Sequence, residues 1–170
     1  MGFWKKLFWG EDSRQKSGAK DYNPDSMHQL NQRISCARKD ESSAKIVKLM
    51  LTAIALDDEG KDEESFYWYK QAASLGNSDA QFVVGVRYQV GRGVRKSEED
   101  AFEWYRKAAI QGHVEAQFSL GIMYLDAQPV MQICKINLIE RQNIGVTYLK
   151  KASGQGHSMA LTFLTQLGYI

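Results

Sequence analysis

Few residues in this chain have the type and spacing to do chemistry. Of three histidines, His113 and His157 each follow a glycine, Gly112 and Gly156, while His28 stands alone. A recurring place beside a helix end suits a turn better than a general base. Cys36 and Cys134 lie far apart, with neither metal-ligand spacing nor a disulfide framework, which points to a reducing compartment. The acidic run Asp57-Asp58-Glu59 with Asp62-Glu63-Glu64 lacks the alternating ligands of a calcium loop. It reads as a solvated turn that also favours the positive end of the following helix. Gly91-Arg92-Gly93 follows no strand, so it is not a phosphate loop. No carboxylate pair, Cys/His couple or Ser/His/Asp set converges under any periodicity. The chain is therefore expected to be non-catalytic, with no metal and no cofactor.

Interfacial chemistry is concentrated at the N-terminus. Met1–Gly10 interleaves Lys5 and Lys6 with Phe3, Trp4, Leu7, Phe8 and Trp9. As a helix it is amphipathic, with aromatics for the headgroup region and lysines for anionic lipid. Weak peripheral membrane contact through Phe3, Trp4, Lys5, Lys6, Phe8 and Trp9 is one expectation; docking on the rest of the chain or on a partner is the other. Lysine at position 6 argues against myristoylation of Gly2. Glu11–Asp21 is polar and reads as a linker, so residues 1–21 form a leader.

The elements that must position everything else follow from composition. The 170 residues include 44% apolar types, enough for a core, and only two prolines, which favours long helices over strands and turns. Basic and acidic residues nearly balance, 22 to 20, which argues against a nucleic-acid binder. No apolar run approaches a membrane span and no secretory signal is present, so the expected site is cytoplasmic, with the leader allowing contact at the inner face of the membrane.

Internal repetition decides the architecture. Ala80-Gln81-Phe82 returns as Ala116-Gln117-Phe118, 36 positions on, with Gly85 returning as Gly121 and Tyr88 as Tyr124. Trp68-Tyr69-Lys70-Gln71-Ala72-Ala73 returns as Trp104-Tyr105-Arg106-Lys107-Ala108-Ala109, also 36 apart; a degraded copy, Tyr148-Leu149-Lys150-Lys151-Ala152-Ser153, lies 44 further on. Ala80, Val84, Gly85 and Tyr88 share one helical face, helix A; Ala101, Trp104, Tyr105, Ala108 and Ala109 share another, helix B. Ser97 with Asp100 marks the start of B, and Gly112 suits a left-handed cap at its end. Gly85, Ala108 and Ala109 permit close helix approach. One such hairpin cannot bury both its faces, so the units must stack.

These motifs closely resemble the Sel-1-like repeat family, relatives of tetratricopeptide repeats, over roughly residues 40–170. The resemblance implies an all-α fold, a right-handed α-solenoid of antiparallel helix hairpins, with units at about 41–76, 77–112 and 113–156 and a C-terminal cap at 157–170. Upstream, residues 22–40 are expected to hold a separate capping helix, Asp25–Lys39, because Cys36 and Ala37 fall 36 positions before Ala72 and Ala73. Thr52 takes the place of the helix A tyrosine in the first unit, and Thr165 that of the glycine in the last.

The family's members mostly act as adaptors, so the implied function is binding of a partner protein. The expected surface is the concave helix A face, with Ile46 and Met50, then Phe82, Val86 and Gln89, then Phe118 and Ile122. The third unit's insertion, near 126–137, carries Met131 and Ile133 among apolar neighbours. It is either a partner-contacting flap or a segment folded over the adjacent hairpin. A narrower role also fits the family: an immunity protein that neutralises a bacterial toxin or secreted effector. An enzyme is the most distant alternative.

Overall fold

The computed structural model describes the backbone of residues 24–126 and 136–169, and the side chains of 41–126 and 136–169. Among the described residues there are seven α-helices and no strand: α1 (Pro24–Asp58), α2 (Asp62–Ser74), α3 (Ser78–Val90), α4 (Glu98–Ile110), α5 (Val114–Leu125), α6 (Leu138–Gly154) and α7 (Ser158–Gln166). Two units meet between Arg38 and Lys39, and the helical array belongs to the second. The separate capping helix expected over 22–40 is not what forms. α1 runs unbroken from Pro24 to Asp58, because no glycine or proline inside that span interrupts it.

From α2 onward each helix packs chiefly on its neighbours in sequence, which is a one-dimensional array of hairpins. The fold is an all-α helical solenoid of repeats. Helix B ends and helix A begins within a three-residue corner, built the same way three times. Gly76, Gly112 and Gly156 hold φ of 93°, 93° and 91°, a region that costs a side chain dearly. Behind each glycine the next N–H turns back to the helix: Asn77 N to Ala72 O at 3.4 Å, His113 N to Ala108 O at 3.1 Å, and His157 N to Ala152 O at 3.1 Å. That same residue then caps the following helix A, so one residue closes one helix through its backbone N–H and opens the next through its side chain.

Small residues set the distance between the helices of each hairpin. A Cβ added at Gly85 would lie 2.7 Å from the Tyr105 ring, and one at Gly121 would lie 2.9 Å from the Leu149 side chain. α5 meets α6 glycine to glycine, since a Cβ at Gly145 would lie 3.0 Å from the Gly121 carbonyl oxygen. The core is in two parts. Leu49 and Ala53 of α1 through Met123 and Tyr124 of α5 make the larger, and Val146, Leu149, Ala152, Ala160 and Leu164 the smaller. α5 joins them by turning Phe118, Ile122 and Leu125 toward the second cluster. Trp68 and Trp104 are half-buried against the larger cluster.

Glutamines tie successive hairpins together. Gln81 Nε2 donates to Ala73 O at 3.1 Å, and Gln111 Nε2 donates to Gln81 Oε1 at 2.7 Å. One unit later Gln117 Nε2 donates to Ala109 O at 3.2 Å and Gln155 Nε2 to Gln117 Oε1 at 2.8 Å. Each buried amide thus satisfies a helix-end carbonyl on one side and receives a donor from the other, as a buried polar group requires.

Candidate interaction surface

The helix A residues singled out from sequence fall into two rows across three helices. Ile46, Phe82 and Phe118 occupy one repeat position; Met50, Val86 and Ile122 occupy the position one turn further on. All six are half-buried. The buried side of the rows is committed to packing: Met50, Phe82 and Val86 lie against the larger core cluster, and Phe118 and Ile122 against the smaller. Gln89, also half-buried, accepts a hydrogen bond from the Tyr105 hydroxyl at 2.8 Å. Burial, aided by Glu98, pushes that hydroxyl far above its ordinary pKa, so it stays a donor. At the equivalent places in α7 stand Thr162 and Gln166, both exposed, so the apolar rows stop at α5.

The two repeated histidines sit at the edge of these rows and have a structural task. His113 Nδ1 accepts the Ala116 N–H at 3.2 Å, and His157 Nδ1 accepts the Ala160 N–H at 3.1 Å. In the preceding unit Asn77 Oδ1 does the same for Ala80 N at 2.7 Å. This arrangement leaves the imidazole proton on Nε2, directed at Asp79 (3.5 Å) and Glu115 (2.9 Å) respectively. Phe82 stacks on His113 with centroids 4.7 Å apart, and Phe118 on His157 at 4.4 Å. His157→Ala is expected to lower stability by about 1 kcal/mol through loss of the cap. His157→Asn should recover most of that, because asparagine already caps α3; a denaturant melt of the three proteins checks it.

A further cluster at the joint of the first two hairpins escaped sequence reading. The acidic turn is not simply solvated. Buried Arg87 of α3 pairs with Asp57, donates through Nη2 to Ser65 Oγ at 3.2 Å, and places its guanidinium 4.9 Å above the Tyr69 ring. Ser65 in turn donates to Ala53 O at 2.9 Å. Arg92 donates to Asp62 at 2.7 Å. Asp58 and Glu59 stay exposed in the turn, and Glu63 and Glu64 are exposed carboxylates in the first turn of α2, in the role expected of the whole run. A signal did exist: Arg87 occupies the repeat position filled by Met123, and a charge at an apolar repeat position calls for an opposite charge nearby. Met131 and Ile133, like Phe3, Trp4, Lys5, Lys6, Phe8 and Trp9, lie outside the described residues. Beside the insertion, α6 carries an open groove lined by Leu138, Ile139, Ile144 and Tyr148. No helix among the described residues is long and apolar enough to cross a membrane.

Comparison with known proteins agrees with this geometry. The family model described as Sel1 repeat matches residues 59–77, 78–113 and 114–157, together more than half of the chain. The first match begins at the α1–α2 turn, in keeping with the altered helix A of that unit. A Sel1 repeat protein from Oxalobacter formigenes is 27% identical over 79% of this chain and 98% of its own, with a TM-score of 0.61. A protective antigen of uropathogenic Escherichia coli with an SLR fold is 28% identical over 78% of this chain; the match covers 27% of the antigen, with a TM-score of 0.58. Cysteine rich protein B of Helicobacter pylori shares the fold at 19% identity, over 78% of this chain and 95% of its own, with a TM-score of 0.52. No curated protein matches the chain in sequence.

Proposed function

This chain belongs to the Sel1 repeat family, and on that footing we propose that it is a non-catalytic scaffold holding one partner protein against its helix A face. Sel1 repeat proteins are generally protein-interaction modules. The observation that carries the reading here is the pair of rows Ile46–Phe82–Phe118 and Met50–Val86–Ile122, half-exposed apolar side chains in register on the alternate helices α1, α3 and α5. Such rows suit an amphipathic helix or an extended peptide. Gln89, aimed by Tyr105, adds a directional polar group at their edge. In the same proposal Met131 and Ile133 of the insertion extend the surface, and the leader supplies a weak membrane or partner contact.

Affinity capture with the full chain, followed by reconstitution with the purified partner, tests this reading. Val86→Asp and Ile122→Asp together should weaken binding at least tenfold with the helical circular dichroism signal retained. A partner bound equally well by the doubly substituted chain would reject the helix A face. A chain that recruits nothing under any condition would reject the scaffold role itself.

A further inference from the structure

The charges bordering the apolar rows of helix A are of one sign. Asp79 lies three residues before Phe82 and Glu115 three before Phe118, on the same side of their helices. Their side chains are 71% and 57% exposed, so a row of carboxylates runs one turn away from the apolar ones. Among the described residues of α3, α5 and α7 the only other charged side chain is Arg87, which is buried against Asp57. In α1 the equivalent place holds Ser43. Lys45 and Lys48 of α1 take the positions of Gln81 and Val84, which the interior helix buries against its neighbours, so neither lysine borders the rows. From residue 59 onward, the exposed cations among the described residues lie on helices B or in the turns that lead to them. Lys70, Lys107, Lys150 and Lys151 are on the helices, and Arg95 and Lys96 are in a turn. The acidic border is therefore local, in a chain whose net charge is +2.

We propose that the segment held on this face is a basic amphipathic helix of the partner, with apolar side chains on the two rows and lysine or arginine along the flank nearest Asp79 and Glu115. The inference rests on the reading of the helix A face given above and narrows it to one class of partner. Charge complementarity selects the sign. A segment with an acidic flank would meet like charges at both carboxylates, and exposed rim charges act chiefly by speeding encounter and turning away wrong partners. The side-by-side rows select the helix. A helix presents an apolar stripe with a charged flank beside it, whereas an extended strand sends alternate side chains away from the surface. The carboxylates are also held in advance: His113 Nε2 lies 3.5 Å from Asp79, and His157 Nε2 lies 2.9 Å from Glu115. Less side-chain freedom is then lost when a cation arrives.

Fluorescence anisotropy on the full chain tests this with three labelled synthetic peptides: an amphipathic leucine–lysine helix, its leucine–glutamate counterpart, and a serine–lysine peptide of the same length and charge. The leucine–lysine helix should bind, and the other two should bind far more weakly. Asp79→Asn with Glu115→Gln should weaken that binding about tenfold at low ionic strength, mainly through the association rate, and the loss should shrink as salt is added. Both amide oxygens can still accept from the histidines, so the melting temperature should hold. Glu63→Gln with Glu64→Gln, the same change of charge at exposed positions of α2, should leave binding unchanged. Equal losses from the two pairs overturn the proposal, as does equal binding of the leucine–glutamate helix or no binding of the leucine–lysine helix. Val86→Ser with Ile122→Ser separates the two readings. A leucine–lysine helix lost on that change but indifferent to the acidic pair overturns the basic partner and leaves the helix A face standing. One that binds as before to the Val86→Ser and Ile122→Ser chain rejects the face itself.

Discussion

Gly93→Ala is expected to destabilise the array by about 2–5 kcal/mol, combining the cost of a left-handed conformation with that of overpacking. Gly93 holds φ at 69°, and an added Cβ would overlap the Asp62 carbonyl and lie 3.0 Å from Glu63 N. These are backbone atoms at the start of α2, and a side-chain rotation cannot move them away. Gly112→Ala is the natural comparison. Its φ of 93° is equally unfavourable, but nothing lies within 4 Å of the added carbon. That variant should lose only the conformational part, about 1–2 kcal/mol. Denaturant midpoints for the two variants and wild type check the difference. Equal losses would show that the turn after α3 does not press on α2 as tightly as the geometry states.

The second large effect is expected at the same joint. Asp57→Ala leaves Arg87 buried with its charge unpaired, and removing one partner of a buried pair costs about 3 kcal/mol, less to the extent that Asp57 reaches solvent. Adding Arg87→Met should recover much of this, since methionine already fills the equivalent place at Met123. A double-mutant cycle measures it, and strict additivity would deny the coupling. The pair also makes stability depend on pH. Burial pushes the Asp57 carboxyl up, but the hydrogen bond from Arg87, the adjacent Ser65 hydroxyl and the fields of Arg87 and Arg92 outweigh it. The net result is a pKa below the ordinary 3.8. A carboxyl with a depressed folded value contributes stability in full above its unfolded value and loses it as pH falls through the folded one. Wild type should therefore lose more stability than Asp57→Asn as pH drops below about 4. Parallel acid curves would remove Asp57 from this role.

How far the candidate surface was legible depends on the kind of contact. Ile46, Phe82 and Phe118 could be placed in one row from sequence because a fixed repeat carries position with it. The half-burial of the two phenylalanines could not, because it depends on their rings stacking onto His113 and His157. The capping helix over 22–40 failed for a related reason. Its residues match helix B at an offset of 36, but helix continuity is decided locally by the absence of glycine and proline around Asp40. Gly145 went unnoticed because the longer third unit shifts it out of the 36-residue register, and only its approach to Gly121 shows why a glycine stands there.

By itself the amino-acid order determined the helices, their corners and their stacking: period, cap residues and the glycine after each helix B are local signals, and repetition multiplies them. Ser97 accepting from Asp100 N at 3.1 Å is one such local signal realised. Tertiary structure alone decided that Arg87 reaches back 30 residues to Asp57, and that Leu51 and Leu161 face water. The physical reason is that charge pairing and exposure depend on which surfaces meet. A repeat leaves that open at its joints and its ends, where one neighbour differs or is missing.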